Sequence, residues 1–356
     1  MSSLPLLDIS LWRSSPHAFA SQLRSACHLR GFFTLHHRMP PLLTQTLFQR
    51  ANAFFASPLE LKRTIDYSRS PAFRGYMGQG IENTAGRPDL REQVEIAAEA
   101  PPVPPDAWPP YMRLRGPNQW PSAQPALREV VEEYVDHMNR LSSELTDALC
   151  LALRVERAAL DALLFDGDPH WQLKLASYQP CAPVEDGGDG APSIGVGEHT
   201  DSGFLTLLLQ DDVGGLQAFS QGEWIDVPPA GLGVLVCNLG EVAQLVSSGY
   251  LLATPHRVLS SQSSRLSVPF FFNPTLTSKV TPLELPPDLI WERDQQYDKS
   301  KHWRRANNSM LAEYGFNAFK SLARSHPAVF EAHHGDLQVL PDGRVVTRGK
   351  TMETHI

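Results

Sequence analysis

Gly197-Glu198-His199-Thr200-Asp201-Ser202-Gly203 runs directly into Phe204-Leu205-Thr206-Leu207-Leu208-Leu209-Gln210, and the reading of this stretch decides the rest. Its second half is a short apolar run with Thr, bounded by Gly203 and the Asp211-Asp212 turn, which predicts a β-strand. Residues two apart on extended backbone share a face, so His199 and Asp201 can both point at one ion. Fifty-five residues after Asp201 stands an isolated histidine, His256, in Thr254-Pro255-His256-Arg257-Val258. Pro255 disfavours helix just before it, so this segment too reads as extended.

Two imidazoles and one carboxylate are the facial ligand set of open-sited, non-haem Fe(II) centres. They leave three coordination positions free and a net charge of about +1 with Fe(II), which suits a dianionic keto acid. A bare His-x-Asp is weak evidence, however. With 13 His and 20 Asp in 356 residues, roughly 0.7 such tripeptides arise by chance. The second copy, His334-Gly335-Asp336, lies too near the C-terminus to be followed by a comparable His and reads as a loop or helix end.

Order and spacing give the first copy its weight. Arg265-Leu266-Ser267 follows nine residues after His256 and opens the apolar run Arg265–Phe272. A guanidinium drawn inside by such a strand is costly unless an anion satisfies it. Ser267 falls on the same face, and arginine binds carboxylates in bidentate fashion, so the pair fits the distal carboxylate of 2-oxoglutarate. Tyr178, in Leu173-Lys174-Leu175-Ala176-Ser177-Tyr178-Gln179-Pro180, is a candidate third donor. Two alternatives stay open: a structural ion pair for Arg265, and a plain core role for Tyr178. The adjacent pairs His36-His37 and His333-His334 project in different directions and read as non-ligands; Asp211-Asp212 reads as the close of a hairpin.

Composition excludes several classes. A formal charge of −8 and no Lys/Arg-rich tract argue against nucleic-acid binding. No apolar run approaches a membrane span, and Met1-Ser2-Ser3-Leu4-Pro5 lacks a charged leader before an apolar block. Four scattered cysteines (Cys27, Cys150, Cys181, Cys237) form no Cys-x-x-Cys pair. Disulfides and zinc ribbons are not expected, and a reducing cytoplasm is. With 42% hydrophobic residues the chain can bury a substantial core.

Along the chain, a strand at 4–9 leads to a helix near 16–30, a strand at 31–37 and a helix over 40–55. Ser57-Pro58-Leu59-Glu60 reads as a capping box opening a short helix. Residues 66–125, rich in Gly and Pro, read as an ordered but irregular wrap or lid. Val130, Tyr134, Met138, Leu141 and Leu145 recur at helical spacing and predict a long helix from Pro125 to about Leu153. Short strands with turn signals run on to 273. The tail from 295 to 325 reads as helical, with Tyr297, Trp303, Tyr314 and Phe319 near the mouth of the barrel.

These segments together resemble the isopenicillin N synthase-like family of Fe(II)/2-oxoglutarate-dependent dioxygenases. The likeness rests on Gly197–Asp211, Val213-Gly214-Gly215-Leu216-Gln217-Ala218, Trp224-Ile225-Asp226-Val227-Pro228-Pro229, Asn238-Leu239-Gly240-Glu241, Pro255-His256-Arg257-Val258 and Arg265–Phe271, in family order and spacing. It runs from about residue 4 to about 335. It implies a mostly β core with flanking helices: a double-stranded β-helix, or jelly roll, with an N-terminal α/β region and a C-terminal helix. The expected division is an N-terminal region with its wrap at 1–125, bracing helices at 126–165, the jelly-roll core at 166–275 and a helical extension at 276–356.

By position, the resemblance makes His199, Asp201 and His256 ligands of Fe(II), and Arg265, Ser267 and Tyr178 the binders of 2-oxoglutarate, with no catalytic residue beyond the metal ligands. Many plant-type members have Asn where this chain has Ala176, and Gln179 replaces a usual proline. The implied reaction is oxidation of an unactivated C–H bond of a small natural-product or amino-acid-derived molecule, hydroxylation above all, with dioxygen consumed, succinate and CO2 released, and ascorbate as a reductant. Arg74, Tyr76, Glu82 and Thr84 are the candidate substrate-binding residues. No obligate protein partner is expected. Alternative readings are an Fe(II) oxidase or cyclase of the same family that dispenses with 2-oxoglutarate, and a non-catalytic, cupin-like metal sensor.

Overall fold

The computed structural model describes residues 4–84, 87–181, 194–296 and 310–348. Strand β1 (Leu6–Asp8) leads into helices α1 (Ile9–Ser14) and α2 (Pro16–Leu29), then strand β2 (Phe32–His36) and helices α3 (Pro41–Phe55) and α4 (Leu59–Lys62). Four strands follow: β3 (Gly75–Met77), β4 (Asn83–Thr84), β5 (Arg87–Pro88) and β6 (Arg91–Ala97). Helices α5 (Pro125–Leu153) and α6 (Arg157–Leu164) precede β7 (His170–Tyr178), β8 (Ile194–His199), β9 (Leu205–Gln210), β10 (Leu216–Ser220), β11 (Glu223–Asp226) and β12 (Val234–Leu239). After α7 (Glu241–Val246) come β13 (His256–Leu259) and β14 (Arg265–Asn273), then α8 (Pro287–Gln296), α9 (Tyr314–Ser325), α10 (Pro327–His333) and the hairpin β15 (Leu337–Val339) with β16 (Val345–Thr347).

An eight-stranded sheet ordered β1-β2-β12-β9-β14-β7-β6-β3 faces a four-stranded one ordered β11-β10-β13-β8. Period-2 alternation explains what lies on each side of the larger sheet. Leu173 and Leu175 of β7, Leu207 and Leu209 of β9, Leu235 and Cys237 of β12, and Val268 and Phe270 of β14 share one core with Val131, Tyr134 and Met138 of α5. Each such apolar side chain contributes on the order of 2 kcal/mol by leaving water. Their alternates (Lys174, Tyr178, Thr206, Asn238, Arg265 and Ser267) face the other way, into a cavity between the sheets. The helices thus brace the outside of a jelly roll whose inside is free to carry polar groups.

Helix α5 runs 29 residues and buries Val130, Tyr134, Met138, Leu141 and Leu145, the residues whose spacing predicts it. It stops where Arg154 turns left-handed at φ 54°. Four expectations need correction. Strand β6, inside the stretch read as irregular, pairs along its whole length with β7 and is part of the main sheet. No capping box forms at α4: Pro58 is its N-cap, and Ser57 Oγ instead donates to Ala53 O of α3 at 2.9 Å. Asp211-Asp212 does not close a hairpin, because β9 and β10 belong to different sheets and the turn carries the chain between them. Phe319 is fully buried against Phe73, Phe330 and His334 and does not line the cavity, whereas Tyr314 does. Tyr297 and Trp303 lie outside the described residues.

Candidate metal centre and its cavity

The two sheets enclose a cavity of about 850 Å³, lined by all three candidate ligands and by Arg265, Ser267 and Tyr178. Strand β8 ends at His199, and β13 begins at His256 directly opposite it in the antiparallel register. Asp201 follows in the loop after β8. The ligand atoms of the three side chains all lie within 4.8 Å of one another. Asp201 Oδ1 stands 3.9 Å from His199 Nε2 and 3.7 Å from His256 Nε2.

Hydrogen bonds fix which atoms are offered. His199 Nδ1 lies 2.8 Å from Gly197 O, and His256 Nδ1 lies 3.1 Å from Thr254 O. A carbonyl can only accept, so each Nδ1 carries the proton and each Nε2 turns a lone pair to the cavity. Asp201 Oδ2 accepts from Thr206 Oγ1 at 2.6 Å and from Asn238 Nδ2 at 2.7 Å, which leaves Oδ1 for an ion. Loss of hydration, with His256 alongside, pushes the His199 imidazole down to about 4, so it is neutral and ready to ligate at ordinary pH. Burial alone would raise the Asp201 carboxyl, but His256 and His199 in their protonated forms, with the bonds from Thr206 and Asn238, outweigh it and hold the group below its usual value.

Gly240 lets this loop close. A Cβ there would sit 2.2 Å from Gly203 O and 2.8 Å from Asp201 O. The backbone amides of Glu241 and Val242, at the start of α7, donate to those same two carbonyls at 2.8 and 3.0 Å. The donor set, two neutral imidazoles and an oriented carboxylate, fits Fe(II).

Deeper on the wall, Arg265 is 2% exposed. Its Nη2 donates to Gln210 Oε1 at 3.1 Å, while Nε and Nη1 have no partner. A buried guanidinium with two unanswered donors fits a carboxylate that reaches it from the cavity. Ser267 lies two residues on, and the Arg265 guanidinium sits over the Tyr178 ring, 4.8 Å from its centroid. Ala176, fully buried, brings no donor to this wall.

The four substrate candidates separate. Glu82 lines the cavity, but both its oxygens are engaged, Oε1 by Lys174 at 2.7 Å and Oε2 by Arg91 at 2.6 Å. Thr84 pairs through its backbone with Arg87, and its side chain lies outside what is described. Arg74 and Tyr76 do not line the cavity: Arg74 is 1% exposed with Nη2 on Leu114 O, and Tyr76 Oη donates to Glu92 at 2.7 Å. The loop containing them turns its polar groups into the protein. Thr206, Gln210 and Asn238, which orient the candidate ligands and clamp, are missing from the candidates drawn from sequence. The sequence signals the first two, since they are polar alternates of the run Leu205–Gln210.

Residues 4–123 match the non-haem dioxygenase in morphine synthesis N-terminal family, and residues 169–274 match the 2OG-Fe(II) oxygenase superfamily. A 2-oxoglutarate-dependent dioxygenase of Dothideomycetidae sp. (strain 11243) is 35% identical over 301 residues, 82% of this chain and 80% of that protein. A homoarginine-6-hydroxylase of Glycine max is 33% identical over 299 residues, 80% of this chain and 89% of its own. Among solved structures, a Neurospora crassa protein in complex with alpha-KG and thymine superimposes with a TM-score of 0.65 at 26% identity, covering 80% of this chain and 89% of that one. With both halves of the family pattern, relatives of this identity over most of the chain, and a jelly roll of the same architecture, this chain belongs to the 2OG-Fe(II) oxygenase superfamily and is a 2-oxoglutarate-dependent oxidoreductase using Fe(II).

Proposed function

We propose that His199, Asp201 and His256 hold the Fe(II), that Arg265, Ser267 and Tyr178 hold 2-oxoglutarate, and that the product is a hydroxylated small molecule. The observation that carries this reading is the pairing of two features in one cavity. Two histidines with backbone-anchored Nδ1 atoms converge with Asp201, and a buried arginine beside them has two donors unanswered. A sensor or scaffold gives no reason for that arginine. An oxidase without 2-oxoglutarate would use it on a substrate carboxylate, but the relatives' names speak for 2-oxoglutarate.

Bound Fe(II), with 2-oxoglutarate and dioxygen, supplies the oxidation of a C–H bond coupled to loss of CO2 and formation of succinate. The rest falls to the protein's own groups. Asp201, held by Thr206 and Asn238, keeps one oxygen aimed and needs no reorganisation on binding. Arg265, fixed by Gln210, sets the depth and direction of the acid. Phe32, Val196, Leu216 and Val258 line the cavity beside the ligands and keep water from the reacting carbon. Two relatives are named for homoarginine and clavatol, and a similar solved structure holds thymine, which supports a small molecule without choosing among natural-product and amino-acid-derived substrates. Glu82, tied up by Lys174 and Arg91, is the single one of the four substrate candidates whose side chain is described on the cavity wall. Cys27, Cys150, Cys181 and Cys237 are all free thiols, which supports a reducing cytoplasm; no helix among the described residues is long and apolar enough to cross a membrane.

The test is an anaerobic titration of the Fe(II)-loaded protein with 2-oxoglutarate, followed by its visible metal-to-ligand charge-transfer band. We expect a saturable band that Arg265→Ala abolishes or greatly weakens. Iron bound without any band would overturn the assignment of the acid clamp.

A further inference from the structure

A row of side chains across three strands leads to an inference that rests on the co-substrate reading above. In the antiparallel register Arg265 of β14 stands opposite Tyr178 of β7, and Arg91 of β6 stands opposite the same Tyr178. Side chains directly opposite one another on antiparallel strands share a face, with Cβ atoms about 5 Å apart. All three line the cavity. Arg265 lies over the phenol ring, and Arg91 Nη1 donates to Tyr178 Oη at 3.3 Å.

Arg91 is not a counter-charge waiting for a ligand. Its Nη2 donates to Glu82 Oε2 at 2.6 Å and pairs with Asp89 Oδ2 at 3.2 Å, so its charge is balanced within the protein. What it adds to the cavity wall is direction. A phenol has one O–H to give and two positions at which to accept. With Arg91 filling an accepting position, the Tyr178 proton is left for another acceptor. Burial alone would raise the phenol, yet Arg91, Arg265 and bonds from Arg91 and Ser267 hold it below its ordinary value, which makes its O–H a stronger donor beside the clamp. The next row of the register is Ser267, Ala176 and Gln93, and Ala176 has nothing to donate.

We propose that Arg91 is a positioning residue for 2-oxoglutarate, turning the Tyr178 hydroxyl so that it donates to the carboxylate bound by Arg265 and Ser267. The planar fork of arginine is what allows the same group to bond Glu82 and Tyr178 at once. Lysine at 91 keeps the charge, and hence the pairing with Glu82 and Asp89, but loses the fork.

Calorimetric titration of 2-oxoglutarate into the Fe(II)-loaded protein under argon reads this directly, without turnover. Arg91→Lys is expected to raise Kd about tenfold, Tyr178→Phe to do the same, and the double variant to bind no more weakly than Tyr178→Phe. Arg91→Gln, which also lacks the fork, should move Kd in the same direction if the lysine variant folds poorly. A merely structural arginine would weaken binding equally in both backgrounds. That additivity, or an unchanged Kd in folded Arg91→Lys, overturns the proposal. Arg265→Gln is the control: it must lose far more affinity than Arg91→Lys, and normal binding by it would overturn the co-substrate reading along with this one.

Discussion

Among the described residues, two clusters have the side chains of a metal site. One is His199, Asp201 and His256; the other is Glu82, Glu95 and His326, which also bring three ligand atoms within 4.8 Å of one another. They differ in what already fills them. In the second, Lys174 Nζ lies 2.7 Å from Glu82 and 2.9 Å from Glu95, and His326 Nε2 faces Glu95 at 3.2 Å. The cluster carries its own cation. In the first no side-chain cation of the protein answers Asp201 Oδ1 among the described residues, and both imidazoles are turned with lone pairs inward by backbone carbonyls. Donor type and distance are therefore not enough to define a metal site; the orientation of second partners and the absence of a built-in ammonium decide it.

The largest expected effect is on the first cluster. His256→Ala should lower turnover by on the order of a thousandfold or more, about 4 kcal/mol of barrier, and abolish Fe(II) binding while the melt stays cooperative. A variant with normal iron content would sink the ligand assignment. The second cluster should answer in stability. Lys174→Met removes the ammonium shared by two buried carboxylates, leaving Glu82 to Arg91 and Glu95 to His326 and Gln93, and is expected to cost about 3 kcal/mol in urea melts. It also sharpens the contrast. In a His256→Ala background, Mn(II) should leave the melting temperature alone while Lys174 is present; a clear upward shift with the lysine in place would break the comparison.

Acid gives a third handle. Burial alone would raise the Glu95 carboxyl, but Lys174 and His326 hold it down to about 2. A folded-state value below the unfolded one stabilises the protein above the unfolded pKa, and that contribution is lost as pH falls from about 4.5 towards 2. Between pH 5 and pH 3 wild type should lose about 2 kcal/mol more stability than Glu95→Gln. Equal losses in urea melts at the two pH values would mean that the cluster does not depress this carboxylate.

The two clusters also differ in how far they could be read from sequence. The first lies on two short extended segments, and its local pattern survives in the chain: His-x-Asp at strand spacing, a lone histidine after a proline, then Arg-x-Ser opening an apolar run. The same period-2 reading recovers the inward face of β9. The second draws Glu82, Glu95, Lys174 and His326 from four separated segments, so no window of sequence contains it. Strand β6 is hidden in the sequence for a related reason. Its inward positions are Arg91, Gln93 and Glu95, and only Val94 and Ile96 remain to signal a strand. Charged groups that neutralise one another across strands look in sequence like a solvated loop. Arg74 and Tyr76 show the reverse error, where residues expected at the pocket turn away from it, Arg74 Nη2 to Leu114 O and Tyr76 Oη to Glu92.

The smallest effect discriminates best. Each cluster has an amide that steadies one carboxylate: Asn238 Nδ2 on Asp201 Oδ2 at 2.7 Å in the first, and Gln93 Nε2 on Glu95 Oε1 at 2.9 Å in the second. If orientation by second partners is what makes the first cluster a metal site, Asn238→Ala should weaken Fe(II) binding by about 10–100-fold, with Thr206 still holding the carboxylate in part. Gln93→Ala removes a comparable bond from an acid that is buried at least as deeply, and should leave iron affinity unchanged. Competition with a calibrated chelator measures both. Equal losses in the two variants would mean that iron affinity tracks the general integrity of the sandwich and not the aim of Asp201.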